Sequence, residues 1–189
     1  MADKHPYIPT SGYVVQALAQ FRKSFPAIVN AETLKKLGFA PKNESYVLNL
    51  LRFLGLIDQE GKKTADASKV FSQHDDTAFS QEFGKLVQRS YKDLFDLHGD
   101  DSWSLASNAL ITFFRSADQS TALVGKLQAS TFQKLAGFAG HGEIPASKPP
   151  NKKLLSGAKA KSQTKAPLKT PKVQPPGFHT NLAKRSNNL

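Results

Sequence analysis

Apolar residues recur at steps of three and four over most of the first 140 positions, and this spacing is typical of amphipathic helices. The pattern predicts a first helix that Pro26 ends. Further along the chain, the same period returns in stretches joined by short polar segments. We therefore expect a mainly α-helical protein, in which a three-helix segment at 76–140 packs on the N-terminal part. The periodic stretches are 14–25, 79–95, 105–114 and 123–138.

Shorter elements in the segment 13–66 follow the order of a winged helix-turn-helix. Asn30 is a suitable N-cap for a short helix, and Gly38 is suited to end it. A further helix is expected over 44–54, in the position of a recognition helix. After it, Gly61 favours a tight turn between two short strands, 56–58 and 62–64. The sequence thus predicts a winged helix-turn-helix with a small β-hairpin wing.

Basic charge is concentrated at the C-terminal end. The formal net charge is +11, yet residues 1–140 hold 16 Lys and Arg against 14 Asp and Glu. Residues 141–189 hold 10 Lys and Arg, a single acid, and seven of the 11 prolines. Such a composition buries too little apolar area to offset the entropy of ordering the chain. We expect a disordered Lys/Pro-rich tail at 141–189 and, at the other end, an N-terminal arm at 1–12.

Cysteine content and hydropathy bear on the cellular location. The chain has no cysteine, which excludes disulfides and thiolate chemistry and fits a reducing compartment. No apolar run reaches the roughly 18 residues of a membrane-spanning helix, and the first ten residues lack the apolar core of a signal peptide. We expect a cytoplasmic protein with no membrane partner.

Residues suited to catalysis or metal binding are scattered. The five histidines never show the spacing of a helical metal pair. His74 and His98 each precede acidic residues, but both are expected to lie in exposed loops between helices. The sequence has no nucleophile-elbow motif and no phosphate-binding glycine loop. We predict a protein that is not an enzyme, with no catalytic residue, metal site, cofactor or small-molecule substrate.

Candidate nucleic-acid contacts come from the helix 44–54, from the wing and from the tail. Asn43, Asn49 and Arg52 are the expected base readers, whereas Glu44, also expected outside the apolar stripe, would repel phosphate. Lysines near the wing and in the tail are expected to contact phosphates. The full set of candidates is Lys35, Lys36, Lys42, Asn43, Ser45, Asn49, Arg52, Lys62, Lys63, Lys152, Lys153, Lys159, Lys161, Lys165, Lys169 and Lys172.

Several short motifs follow one another along residues 6–140. They are YIP at 7–9, LGF at 37–39, LGLID at 54–58 with Gly61 and Thr64, YKDLF at 91–95, and STFQKL at 130–135. As an ordered set they resemble a bacterial and archaeal family catalogued only as a domain of unknown function. The resemblance implies a winged-helix-like N-terminal half and a helical C-terminal half, with no activity attached. Lys63 stands where the family usually has proline, which weakens the inference of DNA reading.

Two functions remain open from the sequence. The first is a DNA-associated regulator or accessory factor that contacts duplex DNA through wing and tail lysines, largely independently of base sequence. The second is a protein-docking adaptor or oligomerising subunit of a multi-gene prokaryotic system, for example in phage defence, that binds a protein partner or a second copy. The small number of polar side chains on the helix 44–54 favours the second.

Overall fold

The computed structural model describes residues 4–40 and 42–142, and this part of the chain is mainly helical. No helix within it is both long and apolar enough to cross a membrane. Most of the predicted tail, from residue 143 onward, lies outside the described residues. The elements, in chain order, are α1 Gly12–Lys23, α2 Ala31–Lys36, α3 Glu44–Phe53, α4 Ala65–Phe71, α5 Asp76–Ser90, α6 Lys92–His98, a 3-10 helix Gly99–Ser104, α7 Ser107–Asp118 and α8 Ala122–Phe138.

Side-chain caps fix where several helices begin. The predicted cap is confirmed at Asn30, whose side chain accepts from the Thr33 backbone N–H at 2.8 Å. Asp75 does the same for α5 and Thr121 for α8. Each cap satisfies one of the backbone donors that a helix leaves unpaired at its first turn. The starts of α2, α5 and α8 therefore follow from local sequence.

Helices α7 and α8 form an antiparallel pair in the C-terminal half of the described chain. Gln133 near the end of α8 donates to Ser107 at the start of α7, over 2.9 Å. At the other end, Gly125 lies so close to α7 that a Cβ there would be 2.6 Å from Arg115 Cγ. Because Gly125 has no side chain, the two helices can approach each other closely at this position. The fully buried core of this half includes Phe83, Tyr91, Phe114 and Phe132.

The helices differ from the predicted ones in two places. The single periodic stretch 79–95 is divided between α5 and α6 at Tyr91, which is fully buried. Helix α4 is not among the predicted elements, because the pattern places Thr64 in the second strand of the wing. Thr64 instead caps α4, accepting from the Ala67 backbone N–H at 3.1 Å. A residue that begins a helix is not available to extend a strand.

The predicted β-hairpin wing contains no strand within the residues that the structure describes. The turn is present, since the Gly61 backbone N–H donates to the Asp58 carbonyl at 3.1 Å. Around it, pairing is limited to isolated antiparallel bridges, Ile57 with Lys63 and Ile28 with Lys62. The prediction of a hairpin is corrected to a tight turn (residues 58–61) that lies against the segment 27–29. Thr64, directly after Lys63, already caps α4, so no length is left for a second strand.

Gly61 provides a test of this turn. Its φ is +83°, and an added Cβ would lie 2.4 Å from the Val29 carbonyl oxygen. We expect Gly61→Ala to lower the free energy of unfolding by about 3 kcal/mol, as measured by chemical denaturation. Gly38→Ala is the matched control, because Gly38 also has a positive φ of +74° but nothing within 4 Å. It should cost only about 1 kcal/mol, and equal losses in the two variants would contradict the close contact.

Candidate functional site

The described part of the N-terminal arm, residues 4–11, is anchored to the helical bundle by His5. Its backbone N–H donates to Asp118 Oδ2 at 3.0 Å, and its ring Nδ1 lies 3.0 Å from Asp118 Oδ1. The His5 carbonyl accepts from Gln128 Nε2 at 2.7 Å. Three residues on, the Ile8 backbone N–H donates to Thr131 Oγ1 at 3.1 Å. The arm is thus held against α7 and α8 by backbone and side-chain bonds together.

Aromatic rings enclose the His5 imidazole. It stacks on Tyr91 with centroids 5.4 Å apart, and it meets Phe53, Phe113 and Phe114 edge-on within 6 Å. Burial, together with the nearby Asp118 carboxylate, raises the pKa of the Tyr91 hydroxyl. An imidazole so enclosed has little room for a reacting substrate. The His5–Asp118 pair therefore acts as a structural anchor.

A cavity of about 390 Å³, the arm pocket, opens between the anchored arm and α3. Residues 4–7 form one wall. Tyr7 and Tyr46 lie across from each other with ring centroids 5.3 Å apart, and the hydrogen bond between their hydroxyls raises the pKa of Tyr7. The wall on α3 and the turn consists of Tyr46, Asn49, Arg52, Phe53 and Gln59.

The predicted base readers on α3 have different surroundings. Asn49 is exposed and lines the arm pocket, and Asn43 is half-buried directly before the helix. Ser45, a further candidate contact, is exposed near the helix start. Arg52 is half-buried, and one of its terminal nitrogens donates to the Gln59 carbonyl at 3.3 Å. The expectation for Glu44 was wrong, since this residue is buried with 9% exposure. The arm contacts part of the same helix, because the ring of Tyr7 packs on Tyr46 and that of His5 on Phe53.

The predicted phosphate-binding lysines of the folded part are all exposed. These residues, the lysine surface, are Lys35, Lys36, Lys42, Lys62 and Lys63. Lys62 and Lys63 directly follow the turn at 58–61. This stretch is joined to the segment before α2, because the Lys63 backbone N–H donates to the Ala27 carbonyl. Lys62 Nζ pairs with Glu60 at 2.5 Å, so part of its charge is compensated. The tail candidates Lys152, Lys153, Lys159, Lys161, Lys165, Lys169 and Lys172 lie outside the described residues.

Sequence reasoning missed His5 and Asp118 as a pair. They are 113 positions apart, and neither belongs to a periodic or metal-binding pattern. The one available signal was Asp118 in the last turn of α7, where a carboxylate is electrostatically unfavourable unless a partner compensates it. Among the described residues, no group of three or more His, Asp or Glu side chains is placed to hold a metal ion.

The anchor predicts a large effect of removing the His5 side chain. We expect His5→Ala to lower the free energy of unfolding by about 3 kcal/mol, because ring packing is lost and Asp118 loses a buried partner. Faster amide hydrogen exchange at Ile8 should accompany the loss. His74→Ala is the control, since His74 is exposed, and its change should stay within about 0.5 kcal/mol. Wild-type stability of His5→Ala would refute the anchor.

Comparisons with known proteins give one match. A search of curated proteins finds no related sequence, and a search of solved structures finds no similar one. A family model, described as a family of unknown function (DUF5343), matches residues 6–144. The match begins directly after His5 and ends directly after Glu143, so it includes every described residue except Lys4 and His5. Since it covers well over half of the chain, the protein belongs to this family of unknown function, DUF5343.

Proposed function

We propose that this protein is a non-enzymatic, DNA-associated factor that contacts phosphates through the lysine surface and the tail lysines. The observation that carries the proposal is the distribution of basic charge. The five lysines of the folded part are all exposed, and residues 141–189 add 10 Lys and Arg against one acid. Cations of this kind bind a phosphate backbone without reading bases, and they do so more weakly as salt rises.

The proposal includes a reduced form of the winged helix-turn-helix. Its support is the order α1, short bridged segment, α2, α3, turn, together with the packing of α2 on α3. In this form the turn at 58–61 takes the place of a wing and presents Lys62 and Lys63 to the backbone. Base reading has little part in it, because the arm lies beside Asn49 and Arg52 on α3.

A titration of duplex DNA, followed by fluorescence anisotropy at several salt concentrations, tests the proposal. The full chain should bind tightly at low salt, with each neutralised phosphate contributing a slope of about −0.9 in log affinity against log salt. Lys62→Glu with Lys63→Glu should weaken binding and reduce the magnitude of the slope by about 2. The control is Lys92→Glu with Lys126→Glu, which makes the same charge change at two exposed positions of the bundle.

A chain ending at Gly142 completes the test, because it retains His141, whose ring stacks on Trp103 at 4.4 Å. Loss of binding on truncation alone, with no effect of the Lys62 and Lys63 changes, would assign the binding to the tail. An equal loss in the bundle control would show only an effect of net charge. Absence of binding by the full chain at low salt would refute the proposal.

A second candidate function is protein docking, as an adaptor or oligomerising subunit. The observation that favours it is the arm beside α3, because a helix whose outer face is partly covered is poorly suited to enter a DNA groove. This candidate gains support if the full chain fails to bind DNA and sediments as a stable oligomer. A monomer that binds DNA would exclude the oligomerising form.

A further inference from the structure

The arm pocket has a lining suited to an anion. Among its lining residues are two cations, Lys4 and Arg52, and no carboxylate. The acids on the neighbouring turn are engaged elsewhere. Asp58 accepts from the Lys62 backbone N–H at 2.8 Å, and Glu60 pairs with the Lys62 ammonium. The local charge inside the pocket is therefore positive, although the folded part as a whole is nearly neutral.

Arg52 is held in a fixed orientation at this wall. One terminal nitrogen donates to the Gln59 carbonyl at 3.3 Å, and its Nε is buried without a hydrogen-bond partner among the described residues. A guanidinium held in this way loses little entropy when it binds a phosphate or carboxylate. Such charge-assisted bonds are stronger than those of a mobile surface lysine.

Aromatic and amide groups complete the lining. Tyr7, Tyr46 and Phe53 offer flat apolar surfaces to a planar ring. Asn49 and Gln59 each carry a side-chain amide, which can pair one donor and one acceptor with the edge of a nucleobase. Asn49 lies one helical turn before Phe53, so an amide and an aromatic ring share one face of α3.

We propose that the arm pocket binds a nucleoside monophosphate, either free or as the terminal nucleotide of a strand. The phosphate would bind Arg52 and Lys4, and the base would lie against the aromatic rings within reach of Asn49. A volume of about 390 Å³ is near the lower end for small-molecule sites, which suits one nucleotide rather than a dinucleotide. The proposal does not rest on the lysine surface, which lies outside the pocket lining.

Isothermal titration calorimetry on the full chain tests the ligand class. The probes are the adenosine, guanosine, cytidine and uridine 5′-monophosphates, a 5′-phosphorylated dinucleotide, the unphosphorylated nucleosides, and inorganic phosphate. At least one phosphorylated probe should bind at least about tenfold more tightly than its nucleoside and than phosphate alone. Binding of free monophosphates identifies a free nucleotide as the ligand, and binding of the dinucleotide alone identifies a strand end.

Variants of the pocket lining locate the binding. Arg52→Gln should weaken binding at least about tenfold, and Asn49→Ala should weaken it several-fold. Lys126→Gln and Asn108→Ala are the matched controls, because both are exposed helical positions outside the pocket. All four variants keep the tail, so any binding by tail lysines is the same in each. Asn49 is exposed, so its variant remains informative if Arg52→Gln unfolds.

Three results would overturn the proposal. One is no detectable binding of any phosphorylated probe. Another is equal binding of inorganic phosphate and nucleotide, which would mean simple anion attraction. The third is equal weakening by Asn49→Ala and Asn108→Ala. Loss of duplex DNA binding on changing Lys62 and Lys63, with nucleotide binding intact, would leave this proposal standing independently of the proposed function.

Discussion

A buried carboxylate needs hydrogen-bond partners, and this requirement at Asp118 organises the molecule. With 8% exposure, Asp118 is poorly solvated, and an unpaired charge there would be costly. Its oxygens are satisfied by the backbone and ring of His5 and by Gln128. Two of these three bonds come from the N-terminal arm. Asp118 therefore holds the arm in place, and the aromatic rings around His5 complete the enclosure.

The position of the arm decides what α3 presents to its surroundings. Without the arm, Tyr46, Asn49 and Arg52 would form an open helix face, as in a groove-reading helix. With the arm in place, the same residues line a pocket that has a second wall. A second wall excludes part of the solvent, which strengthens the interaction of each polar group with a ligand. The arm therefore makes part of the α3 surface into one wall of a pocket.

The sequence predicts what depends on neighbouring residues and fails where distant residues compete. Helical periodicity and the Asn30 cap act within a few positions, so α1, α2 and α8 were expected. Thr64 suits both a strand and a helix cap, and local pattern does not choose between them. Glu44 was expected to be exposed because it lies outside the apolar stripe of the helix. Helical periodicity does not show which other parts of the chain cover the remaining faces. The arm pocket depends on His5 meeting Asp118 across 113 positions, which no local pattern reveals.

Two classes of basic residue follow from this architecture. The lysine surface is exposed, so the proposed interaction with phosphates is screened by salt and carries little selectivity. Arg52 is half-buried and fixed by the Gln59 carbonyl, so its interaction is less screened and limited to ligands that fit the pocket. Raising the salt concentration should weaken the first interaction much more than the second. Salt dependence thus separates the proposed attraction of a polyanion from the proposed recognition of a nucleotide.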